Sequence, residues 1–94
     1  MRVEPVEIDS DQTHAAVMRH PDSQFPGVLV QGDTLWTMCC RADEACKNGR
    51  AVFDEETYAD LNSLRNALWG LLTHYKATLG NHGIPLPFSE TPAR

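Results

Sequence analysis

The apolar positions along the chain change their period several times, and each change marks an element. Val6 and Ile8 flank the polar Glu7, an alternation that predicts a strand over Val3 to Ile8. Ser10-Asp11-Gln12 is turn material, and Thr13 to Arg19 reads as a second strand weakened by two alanines. After the loop His20 to Gly27, the run Val28-Leu29-Val30 is apolar at three successive positions. The third strand, Val28 to Gln31, is therefore expected to lie centrally in its sheet or to be covered on both faces. From Leu35 onward the period becomes helical, with Met38, Cys39, Ala42, Ala45 and Cys46 following at helical spacing. Leu61, Leu64, Leu68, Leu71, Leu72, Tyr75 and Leu79 then form the stripe of a second helix of about 25 residues, roughly 37 Å long.

Punctuation residues set the expected boundaries. Pro26-Gly27 opens the third strand, and Gly32-Asp33 forms the corner that follows it. Gly32 is expected to let the chain swing out of the strand, and Asp33 or Thr34 to cap the first helix. Asn48-Gly49 reads as its left-handed stop. Asp54 is the expected N-cap of the second helix, with Phe53 stapled to Tyr58 across it, and Gly80-Asn81 the expected end. The tail alternates prolines with Ile84, Leu86 and Phe88, so it is expected to run extended and to be pinned by those three side chains.

The resulting expectation is an α+β fold of order β-β-β-α-α, a three-stranded antiparallel sheet packed against a two-helix hairpin. One domain spans residues 1–88, and residues 89–94 form a frayed tail. The first helix, about 15 residues, covers only around 22 Å of the second. The remainder must meet the sheet or another molecule, which makes a homodimer one expected state.

Composition narrows the function. With 94 residues and 41% hydrophobic content, the chain is one globular unit near the lower size limit for a sufficient core. No stretch approaches the roughly 18 consecutive apolar residues of a membrane span, and the start MRVEPVEIDSDQ has no basic-then-apolar leader. Cys39, Cys40 and Cys46 are an odd count suited to free thiols in a reducing compartment. The expected location is cytoplasmic. A net charge of −5 without a lysine or arginine cluster argues against nucleic acid as a partner. It suits either simple solubility or a basic protein partner.

No catalytic constellation emerges from the spacing, and neither cofactor nor metal is expected. Cys39 and Cys46 sit on the first helix's apolar stripe as small hydrophobes, and Cys40 lies about 100° round from Cys39. None of these spacings matches a zinc pattern. His14, His20, His74 and His82 share no metal spacing. Trp36 and Trp69 flank the two stripes, where each can seal a core edge or serve a contact patch. Tyr58 lies on the Trp69 side. The candidate partner-binding residues are thus Trp36, Trp69, Tyr58 and Cys40. Pro26, Gly27, Gly32, Asp33, Asp54 and Gly80 are assigned to the corner and the caps.

The run HPDSQFPGVLVQGDTLWTMCCRADEAC resembles the strand-to-helix segment of HicB-type antitoxin domains. The matching residues are Pro21-Asp22, Pro26-Gly27, Gln31-Gly32-Asp33-Thr34-Leu35, Ala42 and Ala45. Trp36-Thr37 stands where that pattern carries an acidic pair, and no DNA-binding segment follows, so promoter autoregulation is not expected. With the closing segment His82 to Phe88, the whole chain is similar to a small family of uncharacterised bacterial proteins of about this length. The resemblance implies a non-enzymatic protein-interaction module, antitoxin-like or immunity-like, binding a small basic toxin or a second copy. The alternative is a small ligand-binding protein or a thiol-dependent enzyme using Cys40 with a histidine.

Overall fold

The computed structural model describes residues 3, 5, 7–11 and 15–90. Five elements follow in chain order: β1 (Glu7–Asp11), β2 (Ala15–Arg19), β3 (Gly27–Val30), α1 (Gly32–Gly49) and α2 (Glu55–Asn81). β1 begins later than local alternation suggests, because register is set by the partner strand. Glu7 stands opposite Arg19 and Ile8 opposite Met18, which draws Ser10 and Asp11 into the strand. Val3 lies outside any strand. Glu4, Val6, Gln12, Thr13 and His14, all used in the strand and turn assignments above, lie outside the described residues.

The expected three-stranded antiparallel sheet packed against a two-helix hairpin is corrected on two counts. The fold is α+β, but the uninterrupted antiparallel ladder has two strands, β2 and β3, paired from Ala15 opposite Val30 to Met18 opposite Gly27. β1 joins β2 only through a ladder whose register shifts between Ile8 and Ser10. More consequentially, among the described residues the strands pack on one another and the helices on one another, with no packed layer between sheet and helices. The connection explains this. Only Gln31, extended at φ −64° and ψ 148°, separates β3 from α1, too short a link for the helix to fold back across the strand's face. β3 is accordingly an edge strand, not the covered central strand its composition suggested. The radius of gyration, 16.0 Å, exceeds the roughly 12 Å of a compact chain of this length.

The helix ends differ from expectation in instructive ways. Gln31, not Asp33 or Thr34, is the N-cap of α1, and its carbonyl accepts the first helical bond from the Leu35 amide at 3.0 Å. Asp33 sits inside the first turn, where its charge suits the helix dipole, and its carboxylate accepts from the Thr34 amide. Gly49 is helical, and the C-cap Arg50 is right-handed, so no left-handed stop ends α1. Asp54 does occupy the N-cap of α2, though without a capping hydrogen bond. The Thr57 side chain is the main influence that holds its carboxyl below the ordinary aspartate range. A lowered carboxyl stabilises the folded chain above the unfolded value of 3.8, and that contribution is lost as pH falls through the folded value. Gly80 lies within α2, which runs on to Asn81. The left-handed residue is Gly83, φ 66°. The Ile84 amide reaches back to the Leu79 carbonyl and the Gly83 amide to that of Gly80, the paired bonds of a Schellman stop.

Glycines at the helix seam are explained by close approach. A Cβ on Gly32 would lie 2.2 Å from the Tyr75 hydroxyl, and one on Gly49 2.6 Å from the Phe53 ring. The expected role of Gly32, a swing out of the strand, is thus replaced by space for Tyr75. Gly70, in the middle of α2, has open space around it. Gly32→Ala should lower stability by about 1–3 kcal/mol, because the Tyr75 ring must leave its place. Gly70→Ala should raise it by roughly 0.5–1 kcal/mol through reduced backbone freedom. Thermal unfolding of the two variants checks this, since opposite shifts in Tm of about 4–8 °C per kcal/mol are expected.

Candidate functional site

The buried line of α1 consists entirely of small residues, Gly32, Cys39, Ala42, Cys46 and Gly49, at spacings of seven, three, four and three. Such a line lets a neighbouring helix approach closely. α2 fills the space with large side chains, of which Leu72 is wholly buried. Gly32 meets Tyr75 at one end of the seam, while Gly49 meets Phe53 and Leu61 at the other, so the helices run antiparallel.

One side of this seam is sealed. The Trp36 and Trp69 rings meet edge to face, with centroids 5.9 Å apart and planes at 86°. The Trp69 indole donates a 2.8 Å hydrogen bond to the Asp43 carboxylate, which the Arg65 guanidinium approaches to 3.9 Å. Phe88, from the tail, stacks on the far face of this group, its ring 4.8 Å from Trp36 and parallel within 3°. Lys76 pairs with Glu90 a little further on. Of the three residues expected to pin the tail, Phe88 does so, Leu86 is half-buried and Ile84 is exposed.

The opposite side is open. Leu71 follows Trp69 by two residues and so points about 160° away from it around α2. Its side chain is 61% exposed. Leu64 and Met38 are also exposed. β3 borders the same region with Val28 and Leu29, whose side chains alternate across the strand yet are 64% and 53% exposed. Between β3, α1 and α2 lies an open groove of about 590 Å³. Leu35, Leu68, Leu79 and Tyr75 contribute to its walls, and among the described residues His74 is the one lining histidine. Among the described residues no aspartate, glutamate, lysine or arginine lines it. Two smaller hollows, of about 220 and 420 Å³, flank β3, and Leu29 lines both.

The candidate residues named from sequence are therefore divided. Trp36 and Trp69 contact each other in the sealed edge, where Trp36 also stacks on Phe88. Tyr58 is half-buried and eleven residues before Trp69, about 16 Å along the helix axis. Cys40 is half-buried on α1, while the described histidines lie after β2 (His20), along the groove (His74) and at the end of α2 (His82). Among the described residues no group of three or more histidine, cysteine or acidic side chains could hold a metal ion. Pro26 immediately precedes β3 and Gly27 begins it, where a Cβ would lie 4.0 Å from the Met18 carbonyl.

Sequence reasoning missed Asp43, the stacking of Phe88 on Trp36, and the open groove. The signal for Asp43 was present, because it follows Trp36 by seven residues and so shares its helix face, as Arg65 shares a face with Trp69 four residues later.

Residues 1–88 match a family described as a family of unknown function, DUF6959. The chain belongs to that family. This agrees with an uncharacterised family extending over nearly the whole sequence. No curated protein and no solved structure matches the chain. Among the described residues no helix is long and apolar enough to cross a membrane.

Two outcomes follow for this DUF6959 chain. Burial first, then the charge of Asp43, pushes the Cys39 thiol above its ordinary value. Cys39 and Cys46 are buried and Cys40 is half-exposed. Native thiol titration should count one reactive group, Cys40, with the other two slower by roughly tenfold or more. Equal rates for all three would contradict the packing of the α1 seam. Trp36→Ala should cost about 2–4 kcal/mol through loss of both ring contacts. It should also release the tail, which limited proteolysis between Ile84 and Phe88 would detect.

Proposed function

We propose that this protein is a non-enzymatic protein-interaction module whose working surface is the open face shared by β3, α1 and α2. The observation that carries the reading is the exposure of Val28, Leu29 and Leu71 around one groove without fixed charge. Contiguous exposed apolar surface on a small domain marks contact sites, and depletion of charge is the compositional sign of an interface centre. The tryptophans are the edge that holds this face in shape, not the face itself.

The antitoxin-like or immunity-like form of the reading draws support from the strand-to-helix corner. Gln31-Gly32-Asp33-Thr34-Leu35 runs from the end of β3 into the first turn of α1, where the resemblance to HicB-type domains would have it. The net charge of −5 suits a basic protein at the rim of the face. Small-molecule binding is the second reading, favoured by a groove volume within the usual range of about 300–1,000 Å³ for ligand sites.

Affinity capture with the wild type and with a Val28→Glu/Leu71→Glu double variant separates the two. Both residues are exposed, so helix content by circular dichroism should be unchanged. A protein held by the wild type and reduced at least roughly tenfold on the variant is expected. Equal capture by both, or displacement of an apolar dye from the groove with no protein captured by either, would defeat the interaction reading.

A further inference from the structure

The total surface decides what covers the open face. A compact chain of 10.5 kDa exposes roughly 5,400 Å². This chain exposes 7298 Å². The excess is about 1,900 Å² per copy, and the open face is one part of it. Even if half of that excess lay elsewhere, the remaining 950 Å² or so per copy would equal one side of a standard stable interface.

The chemistry of the face points the same way. A basic partner would be recognised by carboxylates, and among the described residues none lines the groove. An acidic chain that meets its own copy must avoid bringing like charges together, and a groove with no aspartate or glutamate among its described lining does that. Apolar surface is also complementary to itself, as a two-fold contact requires, because the same patch must serve on both sides. β3 adds a free sheet edge of sequence Gly27-Val28-Leu29-Val30, with neither the charge nor the internal proline by which edges are normally protected.

From these observations we infer that the face formed by β3 and the Leu68/Leu71 side of α2 is covered by the same face of a second copy, in a two-fold homodimer. This inference rests on the interaction reading above and names its partner. Loss of the dimer would expose none of Trp36, Trp69 or Phe88, whose ring contacts are made within one chain.

Sedimentation equilibrium of the full chain, over about 1–500 μM, tests it. The expected mass is twice 10.5 kDa. Leu71→Glu and, separately, Val28→Glu should each weaken the dimer at least roughly 100-fold while leaving circular dichroism unchanged. Val52→Glu, at an exposed position after α1, should leave the dimer intact. A wild type at monomer mass across the whole range overturns the second copy as occupant. The interaction reading would then stand or fall separately, by the capture experiment. A wild-type dimer that survives both Leu71→Glu and Val28→Glu also overturns the inference, because it would form through some other surface.

Discussion

The insertion of Trp69 into the edge of the helix seam is the constraint on which the arrangement of this protein turns. An indole N–H that leaves water must find an acceptor, and the Asp43 carboxylate supplies one at 2.8 Å. The edge-to-face contact with Trp36 fixes the ring from the other direction. A helix held at that point has no rotational freedom left. The line of α2 facing α1 therefore runs through Leu72 and towards Trp69 and Arg65, and Leu64 and Leu71 are turned out of the seam. The tail then closes the sealed side through Phe88, so one aromatic cluster joins three segments that are remote in sequence.

This rotation accounts for much of what was legible in the sequence and what was not. Helical period located both helices, and the N-cap at Asp54 came from residue chemistry alone. The α2 stripe spans about 100° of the helix, from Leu71 to Leu72, and periodicity cannot say which edge faces a neighbour. Only the tryptophan pairing decides it. Likewise Gly32 and Gly49 carried a signal of special backbone, yet their reason is the bulk of Tyr75 and Phe53 across the seam. No local pattern reveals such a contact. The true left-handed stop, Gly83, was displaced from expectation because three candidate residues, Gly80, Asn81 and Gly83, compete within four positions.

The sheet failed to meet its expectation for a different reason. The run Val28-Leu29-Val30 calls for a strand that lies centrally or is covered on both faces. The one-residue link to α1 withholds that cover within a single chain. Composition thus reported the environment the strand needs, and topology determined that its own helices would not provide it. The tryptophans meet each other at the sealed edge, while the larger exposed aliphatic side chains lie on the open side.

Core size sharpens this point. Among the described residues the buried hydrophobic ones are Ala16, Cys39, Ala42, Cys46 and Leu72, mostly small side chains that release little apolar area when covered. Ordering a backbone of this length costs about 1–2 kcal/mol per residue, and a seam of glycine, alanine and cysteine offsets only part of that. The larger aliphatic side chains, Val28, Leu29, Leu64 and Leu71, remain in water. A partner that covered them would help to hold the fold, since binding to the native state alone raises stability in proportion to the logarithm of partner concentration. Association through the open face would then be linked to folding.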